Sequence, residues 1–257
     1  MPNNPDPTET KAQLESFYDQ RGENAIRDPS ELENLPTTLA APYKHAYNIL
    51  EQSLPKGAEI LDFACGTGLH TKTLAGMGFR LTGVDLSPKS IEAAIKYTAH
   101  QDNVIQLLVG DQKHNALNRK FDAIFVSGAL YYLDESMPNW FAHHLNSNGI
   151  LIAVETVGDN HILNTYRKLM HKFRGHRDAQ TLNHLLSIED YGVYHKYFET
   201  CNTELFGLLA PLCGYLPKFL RKPLTPFAEN IDKKVLHLLP TLAFKIVVKL
   251  QRPTCTE

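Results

Sequence analysis

At 257 residues with 43% hydrophobic side chains, the chain has ample apolar material for a core and the length of one α/β domain with additions, or at most two small domains. This excludes a disordered or fibrous protein. A formal charge of -2, with Lys and Arg spread along the chain, lacks the electrostatic footprint of a nucleic-acid binder, so composition favours a small-molecule partner and no nucleic acid.

The first ten residues, MPNNPDPTET, are polar and proline-rich and read as disordered, without the apolar core of a signal peptide. No stretch approaches the roughly 18 apolar residues of a membrane span. Cys65, Cys201, Cys213 and Cys255 show no CxxC spacing, which argues against a zinc site or a disulfide framework and for a reducing compartment. The expected location is the cytoplasm.

Two helices are predicted next: KAQLESFYDQRG, then TTLAAPYKHAYNILEQSL, where Ala46, Ile49, Leu50 and Leu54 recur at helical spacing. Pro55 and Gly57 end that region. From Glu59 onward short apolar runs alternate with amphipathic stretches: EILDFA, a helix from Leu69 to about Met77, RLTGVD, a helix after Ser87, NVIQLLVG, FDAIFV, a helix from about Pro138, and ILIAVE. Such alternation implies a parallel sheet with helices on both faces. Ser87 followed by Pro88 is a helix start, with Ile91, Ala94 and Ile95 as its expected buried stripe. From His161 to about Thr200 the chain turns polar and histidine-rich and loses strand signal. Strands are expected to return near TELFGLL and at LAFKIVVKL. The interruption, about 158–200, reads as a lid or substrate-side insertion. The expected organisation is a tail with cap helices over 1–54 and one domain over 55–257.

The loop after the first strand, in ILDFACGTGLH, is the sharpest local signal. A phosphate-cradling P-loop needs GxxxxGK[ST], which is absent, and a dinucleotide fingerprint GxGxxG needs a small third residue where Thr71 stands. What remains is D-x-A-x-G-x-G at Asp62, Ala64, Gly66 and Gly68. It forms a close-approach loop suited to a bulkier, less anionic ligand than a pyrophosphate.

Over residues 59–156 the chain resembles the class I S-adenosylmethionine-dependent methyltransferases, whose first motif is an acidic residue followed by a small-residue loop ending GxG. Ala64 stands where the family has its first loop glycine. The resemblance implies a doubly wound, Rossmann-like, mostly parallel seven-stranded sheet with an antiparallel last strand, and S-adenosylmethionine as cofactor. It carries Asp62, Ala64, Cys65, Gly66 and Gly68 over as the cofactor loop. Asp85, with Leu86 beside it, matches the carboxylate that holds both ribose hydroxyls, two adjacent donors that need one bidentate acceptor. Asp111 matches the acceptor for the adenine amino group, with the Gln112 backbone adjacent. Ser127 lies where the fourth motif passes under the methionine part of the cofactor, and Tyr18 resembles a tyrosine that covers that part in many small-molecule members. Taken singly, each aspartate also reads as a helix-capping or turn residue.

The acceptor is less legible. SGAL at Ser127–Leu130 is not the [DN]PP[YF] of the DNA adenine and protein glutamine N-methyltransferases. Nor can Ser127 replace the acidic ligand of the metal-dependent catechol enzymes, so a metal-free site is expected. Tyr131 and Tyr132 follow the fourth strand and can address an acceptor, while His171, His176, His184 and His195 in the insertion are general-base candidates. The leading expectation is O-methylation of a small metabolite. Its competitors are N- or C-methylation of a small or lipid-linked acceptor, and a non-catalytic cofactor-binding partner subunit. The segment Leu205–Phe227 joins apolar residues to Lys218, Arg221 and Lys222, a composition open to contact with a lipid surface, but packing onto the chain's own sheet is the favoured expectation. Its prolines at 211, 217, 223 and 226 are expected to prevent one long helix.

Overall fold

Seven strands form one sheet in the computed structural model, which describes residues 7–27, 39–110, 117–133, 135–165 and 185–254. They are β1 (Glu59–Phe63), β2 (Arg80–Asp85), β3 (Val104–Val109), β4 (Phe121–Ser127), β5 (Leu145–Thr156), β6 (Phe198–Phe206) and β7 (Lys245–Pro253), in the order β3-β2-β1-β4-β5-β7-β6. β1–β2, β2–β3 and β4–β5 pair parallel, and β7 runs antiparallel to both its neighbours. The mostly parallel sheet with a reversed last strand is therefore as expected. The chain divides into two compact units, one of residues 1–34 and 56–118, the other of 35–55 and 119–257.

The first unit holds β1–β3 with α1 (Pro7–Arg27), α3 (Leu69–Gly76) and α4 (Pro88–Thr98). Helix α1 begins at Pro7, so residues 7–10 are helical where disorder is expected from composition; proline fits a first turn, whose N–H groups have no helical partner anyway. Ser87 caps α4 as read, its hydroxyl accepting from the Ser90 N–H at 2.9 Å, with Pro88 opening the helix. Ile95, expected in the buried stripe, is 53% exposed. Helix α1 packs along the Ser90 side of α4, so the buried arc runs through Ser90, Ile91, Ala93, Ala94 and Thr98 instead. That packing needs Gly22, because a Cβ there would stand 2.5 Å from the Lys89 carbonyl carbon and the Ser90 nitrogen.

The second unit holds α2 (Ala40–Ser53), β4–β7, α5 (Met137–His143) and α6 (Lys218–Leu238). Ala123–Val126 and Ile150–Val154 are almost wholly buried, as strands covered on both faces must be. Each large side chain among them, Phe125 for instance, contributes roughly 1.5–3 kcal/mol of burial. Strand β6 begins at Phe198, five residues before the expected TELFGLL, because β7 pairs with it from Phe198 to Phe206. An edge strand tolerates the polar side chains that hid it. Before it, the turn Glu189–Lys196 buries Tyr191 and Tyr194, so the end of the expected polar insertion is anchored in the unit's core.

The C-terminal segment departs most from expectation. Helix α6 is continuous for 21 residues with Pro223 and Pro226 inside it. Both prolines lie on the exposed side, where carbonyls deprived of a helical N–H can be hydrated.

Candidate active site

In the first unit, the sequence-predicted residues of β1, β2 and the intervening loop come together. The loop turns back through left-handed conformations at Ala64, Gly66 and Gly68, with φ of 57°, 53° and 84°. Glycine adopts these freely, and alanine at some cost. The Cys65 N–H donates to the Val84 carbonyl at 3.0 Å and the Gly68 N–H to the Cys65 carbonyl at 3.0 Å, tying the loop to β2 and to itself. Asp85 ends β2 and fixes the loop from the other side. One carboxylate oxygen accepts from the Gly66 N–H at 2.8 Å and the other from the Ser87 N–H at 2.9 Å.

The Asp62 carboxylate is buried and accepts from the Thr71 hydroxyl at 2.5 Å. Burial, partly opposed by that bond and aided by Asp85, raises its pKa to about 7. Burial also raises Asp85, against the Ser87 and Gly66 amides that lower it and with the Asp19 charge adding to the rise. The Cys65 thiol is pushed well up by burial and by both aspartates. Asp62 and Asp85, each raised first by burial and then by a neighbouring carboxylate, make this a site that gains from a cationic ligand.

Sequence reading missed two of these groups. Asp19, on α1, accepts from the Ser87 hydroxyl at 2.5 Å and the Lys89 N–H at 3.2 Å, so α1 is tied to the start of α4. Thr71 stands out in sequence only as the residue that breaks the dinucleotide pattern, and its hydroxyl turns out to serve Asp62. Tyr18 is half-buried; its carbonyl accepts from the Ser90 hydroxyl at 3.3 Å and its ring meets Phe17 edge-on at 5.2 Å. Leu86 is half-buried between Asp85 and Ser87.

These residues fit the implied cofactor. A Cβ at Gly66 would meet nothing within 4 Å, so the loop leaves space above it. Helix α3 opens at Gly68 without a side-chain cap, and the Thr71 backbone N–H in its first turn is turned to Asp62. Each Asp85 oxygen, having accepted one amide, keeps a further lone pair for a hydroxyl. Asp111 and Gln112 lie outside the described residues, as do His171, His176 and His184.

In the second unit, Ser127 ends β4 and its hydroxyl donates to the Tyr43 hydroxyl oxygen at 3.4 Å, which also accepts from the buried Lys245 ammonium at 3.3 Å. Gly128 follows at φ 66°, and the Tyr131 hydroxyl stands 3.9 Å from where its Cβ would be. The half-buried Tyr131 and Tyr132 rings are 4.3 Å apart at 54°. Beneath the turn they share, Glu155 is fully buried near the end of β5; one carboxylate oxygen accepts from the Ala129 and Leu130 N–H groups at 3.0 and 3.1 Å. Burial raises Glu155 to about 7, opposed by those amides and the Lys245 charge, and its other oxygen has no hydrogen-bond partner. His195 is exposed.

A cavity of about 260 Å³ opens in the same unit, walled by α2, the ends of β6 and β7, and α6. Leu39, Pro42, Phe206 and Phe244 give it apolar walls, while Glu204, Glu229 and Lys245 give it charge. Burial raises the Glu229 carboxyl, against the Lys44 charge. Glu204 pairs with His45 at 3.1 Å. Asp232, also on the wall, is engaged elsewhere, accepting from the N–H groups of Leu208, Leu209 and Ala210.

Comparison with known proteins agrees with this geometry. A methyltransferase domain family matches residues 60–149. Methyltransferase-like protein 27 of Homo sapiens is 34% identical over 123 residues, 46% of this chain and 47% of that protein. The mitochondrial ubiquinone biosynthesis O-methyltransferase of Schizosaccharomyces pombe is 29% identical over 108 residues, 40% of this chain and 39% of that one. The alignments to the first curated relatives span 35% to 56% of their lengths. Among solved structures, a TehB-like SAM-dependent methyltransferase from Corynebacterium glutamicum matches 92% of this chain and 99% of its own with a TM-score of 0.53 and 15% identity, a likeness of fold. A methyltransferase domain thus runs from β1 into β5 of a seven-stranded sheet whose order and reversed last strand are those expected of the class I S-adenosylmethionine-dependent methyltransferases.

Proposed function

We propose that this protein methylates a hydroxyl of a small molecule without a metal ion, in the cytoplasm and without a nucleic-acid partner. Bound S-adenosylmethionine supplies an electrophilic methyl group on sulfur, open to in-line displacement by the acceptor oxygen. In the first unit, Asp85 takes the ribose hydroxyls and the Gly66–Gly68 turn makes room for the rest of the ligand. Ionising Asp62 and Asp85 is opposed by burial, so a positively charged ligand is favoured there over a neutral one.

The observation that carries the hydroxyl reading is the chemistry at the end of β4. Its side chains are Ser127, Tyr131 and Tyr132, hydroxyls that orient a neutral acceptor, and the carboxylate beneath them is turned into the Ala129 and Leu130 amides. Ser127 is a poor ligand for magnesium, which supports a metal-free reaction. The acceptor proton must leave as the oxygen attacks, and His176, His184 and His195 stay the candidates for receiving it. The name of the Schizosaccharomyces relative supports oxygen as the acceptor atom. A second reading, N-methylation, is favoured by Glu204 and Glu229 in the cavity, which suit an ammonium group, and by the name of an N,N-dimethyltransferase relative from Streptomyces fradiae.

The test is turnover of methyl-labelled S-adenosylmethionine with matched hydroxyl, amine and lipid-linked acceptors, with and without EDTA. Methylated hydroxyl products in EDTA are expected. Exclusive amine methylation moves the assignment to the second reading, and EDTA-sensitive turnover restored by magnesium overturns the metal-free one. Cofactor binding without turnover on any acceptor replaces both with a non-catalytic partner subunit.

A further inference from the structure

We infer that the cavity walled by α2, α6 and the ends of β6 and β7 binds a small zwitterion, with a carboxylate on Lys245, an ammonium group on Glu229 and an apolar body between them. Phe206 lies opposite Lys245 in the β6–β7 register and Glu204 two residues earlier, so all three side chains stand on one face of the sheet. Helix α2 covers that face. His45 pairs with Glu204 at 3.1 Å and its ring lies 5.5 Å from that of Phe206, while the Tyr43 hydroxyl accepts from Lys245 at 3.3 Å. Leu39, Pro42 and Phe244 complete an apolar lining between the charges. At about 260 Å³ the cavity falls below the range that holds drug-sized molecules, which sets its ligand at amino-acid size.

Most charges on the wall are already engaged. Asp232 accepts from three backbone N–H groups, Glu204 faces His45, and Lys233 is exposed to solvent. Two groups of opposite sign remain. Lys245 is only 8% exposed, and among the described residues its ammonium makes one hydrogen bond, to Tyr43, and no ion pair, so not all of its three donors are used. Its charge reaches Glu155, but the Glu155 oxygen that is bonded accepts from the Ala129 and Leu130 amides. Glu229 is half-buried and makes neither a hydrogen bond nor an ion pair among the described residues, and burial raises its carboxyl against the charge of the exposed Lys44. A buried ammonium with unused donors and a partly desolvated carboxylate each gain from a counter-charge. Because the two do not pair with one another, a ligand carrying both charges serves both, whereas a plain amine leaves Lys245 unserved and a plain acid leaves Glu229 so.

The experiment is calorimetric titration of the full chain with L-leucine and L-phenylalanine, each beside its amine (isoamylamine, phenethylamine) and its acid (isocaproate, hydrocinnamate). Binding is read without turnover, so this site and the methyl-transfer reading can fail separately. At least one amino acid is expected to bind, roughly ten- to a hundredfold more tightly than either of its singly charged analogues. Glu229→Gln should erase the advantage over the acid, and Lys245→Met the advantage over the amine. Melting curves check both folds, and the half-buried Glu229 decides the matter if loss of the buried Lys245 unfolds the chain. No binding of either amino acid, an analogue that binds as tightly as its amino acid, or an undiminished preference in folded Glu229→Gln would each overturn the site.

Discussion

Asp85 has one duty that its hydrogen bonds show and a second that we propose, and substitution should separate them. Its oxygens accept from the Gly66 and Ser87 amides, which shapes the loop, and their remaining lone pairs are assigned to two ribose hydroxyls. A hydrogen bond to a charged group contributes about 1.5–3 kcal/mol, so losing two hydroxyl bonds in Asp85→Ala should weaken cofactor binding by roughly 10²- to 10⁴-fold. Asp85→Asn keeps one acceptor oxygen and should lose about ten- to a hundredfold. Part of either loss could come from a slackened loop, so the decisive assay is a coupling measurement. Calorimetric affinities of parent and Asp85→Asn are compared for S-adenosylhomocysteine and its ribose-deoxygenated analogue, with melting curves confirming the fold. If Asp85 holds the ribose, deoxygenation costs the parent at least about 1 kcal/mol more than the variant. Strictly additive losses would show that the carboxylate acts on the loop alone, and unchanged affinity in folded Asp85→Ala would remove both assignments.

The buried carboxyls set a pH dependence. Glu155 and Asp62 hold their protons to about pH 7 when folded but release them near 4.5 and 3.8 when unfolded, so the stability each provides in acid falls as pH rises through that window, by about 3 kcal/mol for Glu155 and about 4 kcal/mol for Asp62. Urea unfolding of Glu155→Gln should show a shallower decline from pH 4 to 8 than the parent, and an identical slope would refute the buried titration. Gly22→Ala should destabilise the protein by roughly 1–3 kcal/mol despite alanine's better helix propensity, because its Cβ meets α4 backbone; an unchanged or raised melting temperature would contradict the packing. Tyr131→Phe should lower kcat by about ten- to a hundredfold with S-adenosylhomocysteine affinity intact, and unaltered turnover would reduce Tyr131 to a packing role.

What could be read in sequence was what is encoded locally. The glycines of the Asp62–Gly68 loop, the aspartate ending β2 and the serine before Pro88 each act within a few residues of themselves, through φ, a strand end or a cap. Other features depend on what packs nearby. Ile95 has helical spacing, yet it is exposed because the distant α1 takes the neighbouring flank of α4. Pro223 and Pro226 break helices on average, but sequence does not say which side of a helix will face water.

The second unit shows the limit most clearly. Glu155 follows the apolar run Ile150–Val154 near the end of β5 and Lys245 opens β7, and nothing in either stretch announces the other. Antiparallel pairing sets Thr156 opposite Lys245 and Glu155 opposite Ile246, which brings the two charges into one buried neighbourhood. Tyr43 reaches Lys245 from 202 positions away. An uncompensated carboxylate in such a place would be strongly disfavoured, and the raised pKa, the two turn amides and the nearby ammonium are three partial answers to that cost. The turn that Glu155 holds carries Tyr131 and Tyr132, so the acceptor end of the proposed reaction depends on a contact that register alone creates. The donor end depends on a motif that local sequence creates. Acceptor choice can therefore vary without disturbing the cofactor loop.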